Sequence, residues 1–138
     1  MTQADPQLKP SCADGITKVR AILAVDDSRS LRQAVVITLR RAGYEVVEAE
    51  DAKQGLVKAA ERRFDLVITD YNMPDMDGLS FVRELRARRD YLNVPILVLT
   101  TESSDEMRQR GRAAGATGWL VKPFDPERLI EVARKVMT

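Results

Sequence analysis

The chain has 138 residues, which is enough for one ordinary domain with a substantial core. Its 22 basic and 21 acidic residues give a formal net charge of +1, which argues against a nucleic-acid binder because such proteins carry a basic excess. With no histidine and one cysteine, Cys12, the chain excludes Ser–His and Cys–His hydrolases, internal disulfides and cysteine-based zinc sites. Any chemistry therefore depends on carboxylates, hydroxyls, lysine and bound ions.

The first 18 residues contain charged side chains and no apolar block, which predicts a polar N-terminal extension rather than a secretory signal. The longest uninterrupted apolar stretch, Ala21–Val25, is far shorter than the ~20 residues that a bilayer span requires. We therefore expect a cytoplasmic chain with no membrane partner, in which residues 19–138 form one domain.

Two kinds of segment alternate from residue 20 onward. Short apolar runs predict five strands, at Ala21–Val25, Glu45–Ala49, 66–69, 95–100 and 117–121. The second run is the most polar and is typical of an edge strand. Apolar residues at helical spacing follow four of the runs: Leu31, Val35 and Leu39; Leu56, Ala59 and Ala60; Leu79, Val82 and Leu85; Leu129, Ala133 and Val136. The remaining helix, at 104–114, is the weakest, because Met107 is its only large apolar residue and Gly111 interrupts it.

Five strand–helix cycles with short connections predict an α/β fold. The expected architecture is a single five-stranded parallel sheet with right-handed crossovers and five helices on both faces. The flavodoxin-like strand order 2-1-3-4-5 places the polar second strand at an edge.

Polar residues follow the predicted strands at their carboxyl ends. The first strand ends in Asp26 and Asp27, the third in Asp70, the fourth in Thr100 and the fifth in Lys122. Taken singly, each residue has an ordinary structural interpretation. Asp27 could cap a helix and Asp70 could open a turn. Thr100 could be an ordinary strand residue and Lys122 a solvated charge. Parallel α/β sheets bind ligands outside the carboxyl ends of their strands, so we expect these groups to converge on one cleft.

The chemistry of such a cleft follows from its residue types. Three carboxylates raise each other's pKa unless a cation joins them, and an all-oxygen site favours Mg²⁺. Mg²⁺, Lys122 and the Thr100 hydroxyl would together stabilise a phosphoryl group. Asp70 is ionised at pH 7 without a base and is the natural nucleophile for an aspartyl phosphate.

These residues resemble the receiver domain of two-component response regulators. The resemblance covers residues 19–138 and rests on four motifs: Asp26-Asp27, Asp70 in DYNMPDMDG, Thr100 in VLTTE, and Lys122-Pro123 in GWLVKPF. ILVLTTESSDE and GATGWLVKPFDPERL make the chain most similar to single-domain chemotaxis regulators of the CheY type.

The resemblance implies that Asp70 accepts phosphate from a phosphohistidine on a chemotaxis-type histidine kinase. The Mg²⁺ site would comprise Asp70, Asp27 as a direct ligand, Asp26 mainly through water, and the backbone carbonyl of Asn72. Lys122 would pair with the phosphoryl oxygens, and its peptide bond to the following proline is expected to be cis. Such a protein is a phosphoacceptor switch that catalyses only its own phosphotransfer and slow self-dephosphorylation.

The resemblance also implies a switch. Thr100 would move inward to the phosphoryl group, and Trp119 would swing into the space that it leaves. Many relatives have Tyr or Phe in place of Trp119, so a plain packing role for this larger ring is the alternative. Asn72 and Glu102 occupy positions that adjust the rate of phosphate loss in this family.

Helix 4, strand 5 and helix 5 would form the surface that binds an output protein, such as the flagellar motor switch. Three arginines of helix 4 could meet an acidic partner: Arg108, Arg110 and Arg112. The chain is expected to be a monomer with no nucleic-acid partner. One alternative is a phosphate sink in the same relay. Another is a Mg²⁺-dependent phosphohydrolase with an aspartate nucleophile, although haloacid-dehalogenase-type enzymes carry Asp-x-Asp where this chain has Asp26-Asp27-Ser28.

Overall fold

Strands and helices alternate along the whole described chain. The computed structural model describes residues 19–102 and 104–138, so the predicted extension at 1–18 lies outside the described residues. The elements are β1 Ala21–Val25, α1 Arg29–Arg41, β2 Glu45–Ala49, α2 Ala52–Glu61, β3 Leu66–Asp70, α3 Gly78–Arg86, β4 Ile96–Thr100, α4 Asp105–Ala114, β5 Gly118–Val121 and α5 Pro126–Met137. A short 3₁₀ turn, Arg89–Tyr91, precedes β4.

The five strands form one parallel sheet in the order β2-β1-β3-β4-β5, which confirms the predicted topology. Every residue of the three central strands is buried, as their continuous aliphatic sequences predict for strands covered on both faces. The more polar β2 lies at an edge, where only Val46 and Ala49 are fully buried. Each central aliphatic side chain contributes about 1.5–3 kcal/mol through burial.

The helices cover both faces of the sheet. On one face α2, α3 and α4 pack against the strands, and on the other α1 and α5 do so. The core face of α1 carries Arg32, Val35, Val36 and Leu39. Leu31, which the sequence placed on that face, is 40% exposed, so this part of the prediction is wrong by one residue.

Side-chain oxygens cap all five α-helices at their N-termini, by accepting hydrogen bonds from backbone N–H groups that lack a partner inside the helix. The capping residues are Ser28, Asp51, Asp77, Ser104 and Asp125. In α4, Met107 is the only large apolar side chain that is buried, as the sequence predicts, and Gly111 and Ala114 are the other buried residues. None of the helices in the described part of the chain has the length and hydropathy of a membrane span.

Candidate functional site

Three carboxylates meet at the carboxyl ends of the central strands. Asp26 and Asp27 follow β1, and Asp70 is the last residue of the neighbouring β3. One oxygen from each lies within 4.8 Å of the other two. Asp26 and Asp70 are 3% and 5% exposed, whereas Asp27 faces solvent. The structure therefore brings together three side chains that the sequence separates by up to 44 positions.

A lysine reaches the same cluster from the position directly after β5. The Lys122 Nζ lies 2.5 Å from Asp70 Oδ1 and 3.7 Å from Asp26 Oδ2, and its side chain is only 12% exposed. The Lys122–Pro123 peptide bond is cis, as expected from the resemblance. One ammonium group offsets only part of the negative charge of three carboxylates.

This arrangement disfavours the ionised form of Asp26. Burial raises the pKa of its carboxyl above the usual value, and the charges of Asp70 and Asp27 raise it further. The Ser28 N–H, which donates to Asp26 Oδ1 at 2.9 Å, and Lys122 oppose that increase. Asp26 Oδ2 is buried and accepts no hydrogen bond from the described residues. A buried carboxylate oxygen that accepts no hydrogen bond, beside two further carboxylates, fits a hard divalent cation with oxygen ligands, such as Mg²⁺.

We expect Asp26→Asn to stabilise the metal-free protein at neutral pH, because burial and the neighbouring carboxylates disfavour the ionised form of Asp26. The amide oxygen can still accept the Ser28 N–H bond, while the buried charge disappears. Because the pKa of Asp26 is raised by folding, the native state binds its proton more tightly than the unfolded chain does. The stability of the wild type relative to the variant should therefore fall as pH rises through that raised pKa.

Urea unfolding in EDTA, measured from about pH 4 upward, checks this result. Asp27→Asn is the matched control, because Asp27 is exposed and its charge is already solvated, so its effect should be smaller. A stability difference between Asp26→Asn and wild type that is constant with pH would contradict the electrostatic explanation.

The loop between β3 and α3 folds back onto Asp70. A Cβ at Gly78 would lie 2.4 Å from the Asp70 carbonyl oxygen, so only glycine fits there. The Gly78 N–H donates to the Tyr71 carbonyl at 2.8 Å. Asn72 is exposed in this loop, two residues beyond Asp70. The close approach of Gly78 holds the backbone on both sides of the central carboxylate.

Thr100 and Trp119 are linked through the backbone of Glu102. The buried Thr100 hydroxyl accepts a hydrogen bond from the Glu102 N–H at 3.1 Å. The Trp119 indole N–H donates to the Glu102 carbonyl oxygen, also at 3.1 Å. The side chain of Glu102 is exposed. One peptide segment therefore contacts the hydroxyl at the end of β4 and the large aromatic ring of β5.

Sequence reasoning missed Arg32, a buried cation beside the site. Its Nη1 donates to the Asp26 carbonyl oxygen at 2.8 Å, and its Nε pairs with Glu48 of β2 at 2.9 Å. Gln33 donates to the same Glu48 carboxylate. The available signal was the spacing of Arg32 with Val35 and Leu39, which places a charged residue on an apolar helix face.

The fold and this constellation of residues define a class of protein. The response regulator receiver domain family matches residues 22–134, and the chain belongs to that family. Receiver domains are phosphoacceptor switches of two-component signalling. Within the family, the chain is CheY-like.

The relatives are close in both sequence and structure. The structure of the chemotaxis response regulator CheY4 of Vibrio cholerae is 52% identical, with a TM-score of 0.83, over 86% of this chain and 99% of that chain. Chemotaxis protein CheY1 of Helicobacter pylori is 38% identical over 118 residues, which are 84% of this chain and 95% of the relative.

A third relative was solved with its metal. The receiver domain of sensor histidine kinase PA1611 from Pseudomonas aeruginosa, which has a magnesium ion coordinated in its active-site cleft, is 30% identical with a TM-score of 0.80. That match covers 87% of this chain and 98% of that chain. The chain spans about half the length of longer curated regulators that it also matches.

Proposed function

We propose that this chain is a CheY-like response regulator of a chemotaxis phosphorelay, with residues 19–138 as its receiver domain and Asp70 as its phosphoacceptor. The observation that carries the proposal is the contact of Asp70 with both a carboxylate cluster and Lys122. The similarity to CheY4 and CheY1 supports the assignment to chemotaxis. The donor is a phosphohistidine on a histidine kinase.

The proposed site holds Mg²⁺ through the carboxylates of Asp26, Asp27 and Asp70, with the backbone carbonyl of Asn72 as a further ligand. The clustered oxygens and the lack of a hydrogen bond to Asp26 Oδ2 among the described residues support this set. When bound, the ion neutralises charge on the carboxylates and the incoming phosphoryl oxygens. In the PA1611 receiver domain, a magnesium ion is coordinated in the active-site cleft, which supports the same ion here.

The proposed reaction is an in-line phosphoryl transfer. An Asp70 carboxylate oxygen attacks phosphorus, the phosphorus–nitrogen bond of the phosphohistidine breaks, and its electron pair remains on the imidazole nitrogen, which takes a proton from water. Lys122, already in contact with Asp70, stabilises the negative charge on the phosphoryl oxygens. Thr100 exchanges its Glu102 partner for a phosphoryl oxygen, which releases the peptide segment bonded to Trp119.

The output partner binds the face formed by α4, β5 and α5. A groove of about 310 Å³ lies there, lined by Trp119 and by three arginines. The arginines of this groove are Arg108, Arg112 and Arg128. No acidic side chain lines the groove among the described residues, which supports an acidic partner segment, such as one from a flagellar motor switch protein. Asn72 and Glu102, exposed near the reaction centre, adjust the phosphoryl lifetime.

A small acyl phosphate tests this function without knowledge of the kinase. With Mg²⁺ and acetyl phosphate, the chain should gain one phosphoryl group, seen by mass spectrometry and removed by hydroxylamine, as an acyl phosphate requires. EDTA should prevent the modification. Trp119 fluorescence should change on adding Mg²⁺ and again on adding a phosphoryl mimic such as beryllofluoride, because Trp119 is bonded to the Glu102 segment.

Two alternatives give different results in the same assay. Sustained release of phosphate from phosphomonoesters, over many turnovers per chain, would favour a phosphohydrolase. Phosphorylation that leaves Trp119 fluorescence unchanged would favour a phosphate sink. Absence of any adduct with Mg²⁺ present would contradict the proposed function itself.

A further inference from the structure

Gly111 lies inside α4, where a glycine costs helix stability relative to alanine. Its backbone does not need glycine, because Gly111 has ordinary helical dihedral angles, unlike the left-handed Gly43 and Gly115. What the position lacks is space. A Cβ at Gly111 would lie 2.5 Å from Trp119 Cζ3 and 2.8 Å from its Cε3, well inside the ~3.5–4.0 Å of a favourable carbon–carbon contact.

The indole ring is held by three separate segments. Its six-membered ring lies against the Gly111 backbone of α4, and its N–H donates to Glu102 in the segment between β4 and α4. The Tyr71 ring, from the segment after β3, approaches it at 6.4 Å between centroids with a 48° tilt. These three segments form a socket around the Trp119 ring. The α4 backbone at Gly111 is one side of that socket, and a larger residue at Gly111 would occupy the space that the ring fills.

We propose that Gly111 is a positioning residue that sets the position of the Trp119 ring against α4 and makes the ring and α4 move together. The coupling to signalling rests on the proposed function, in which Trp119 is the switch residue. No side chain separates the indole from the α4 backbone, so displacement of the ring uncovers Gly111, one of the three buried residues of this helix. Loss of that contact changes the α4 surface that the output partner binds.

Unfolding of Gly111→Ala in two backgrounds tests the socket. In the chain with Trp119, the added methyl should displace the ring, so the urea midpoint should fall although alanine is the better helix former. In the Trp119→Phe background, the smaller ring leaves room, and the same change should raise the midpoint. Ala113→Gly, at an exposed position of α4, is the matched control and should lower the midpoint equally in both backgrounds.

A second measurement follows the ring directly. Gly111→Ala should shift Trp119 emission to longer wavelength and increase its quenching by acrylamide. With beryllofluoride, the variant should show a smaller fluorescence change than wild type, because its ring no longer starts from the position against Gly111. A raised midpoint in both backgrounds, or unchanged emission, would overturn the socket, and an undiminished beryllofluoride response would overturn its link to the switch.

The urea midpoints, the Trp119 emission and its quenching by acrylamide are measured with neither Mg²⁺ nor a phosphoryl donor. Failure of the proposed function would appear separately, as a wild-type chain that takes up no phosphoryl group from acetyl phosphate.

Discussion

Asp70→Asn should abolish phosphorylation, both by a phosphorylated histidine kinase and by acetyl phosphate. The amide has no negative oxygen with which to attack phosphorus, and no histidine in the chain can replace it as acceptor. The expected loss is complete within detection, measured as incorporation of radiolabelled phosphate. Because Asn is nearly isosteric with Asp and the substitution removes one of three mutually repelling charges, the variant should remain folded.

Asp75→Asn is the matched control. It makes the same chemical change in the same loop, but Asp75 is exposed and outside the carboxylate cluster. Its backbone has φ of 70°, a conformation that Asn adopts readily, so the control should fold and accept phosphate normally. Persistent labelling of Asp70→Asn, in a folded chain, would move the nucleophile to another residue.

Much of the fold could be predicted because its signals are local. Continuous aliphatic runs mark strands that are covered on both faces, and short connections allow few arrangements of parallel strands. The polarity of Glu45–Ala49 was sufficient to place β2 at an edge, which the structure confirms. The convergence of Asp26, Asp70 and Lys122 was also predictable, since carboxyl ends of parallel strands share one edge of the sheet.

Features that depend on distant partners could not be predicted. Arg32 is buried because the Asp26 carbonyl and Glu48 satisfy its guanidinium, and neither partner is evident from the sequence around Arg32. Tyr91 is buried in the 3₁₀ turn because its hydroxyl donates to the carbonyl oxygens of Ala59 and Arg62. In both cases, a polar residue becomes part of the interior through a contact that only tertiary structure creates.

The link between Thr100 and Trp119 was hidden for a different reason. It passes through the N–H and carbonyl of Glu102, and backbone groups are the same in every residue. Gly111 was interpreted as an interruption of a weak helix, although α4 continues through it. Gly111 matters because it has no side chain where the Trp119 ring lies. The spacing of apolar residues along a helix does not reveal such a contact.

Lys122→Ala should separate metal binding from phosphoryl stabilisation. The Lys122 ammonium group contacts two of the carboxylates that would hold Mg²⁺, those of Asp26 and Asp70. Its removal should therefore not weaken Mg²⁺ binding measured by calorimetry. Phosphorylation by acetyl phosphate should nevertheless slow by about 10²–10³, the usual effect of losing one donor to a developing oxyanion. The Trp119 response to beryllofluoride should also be lost.

The same substitution should lower the stability of the metal-free chain and make its stability depend more strongly on Mg²⁺. Removing one partner of a buried ion pair costs about 3–5 kcal/mol, since Asp70 and Asp26 then face each other without a cation. A ligand at 100 times its Kd restores about 2.7 kcal/mol, so saturating Mg²⁺ should recover most of the loss in a urea titration. Lys53→Ala, an exposed lysine on α2, should show neither effect. If the Lys122→Ala chain stays unfolded in Mg²⁺, the role of this lysine is structural. If the chain folds but no longer responds to beryllofluoride, the result supports the place of Lys122 beside the phosphoryl group.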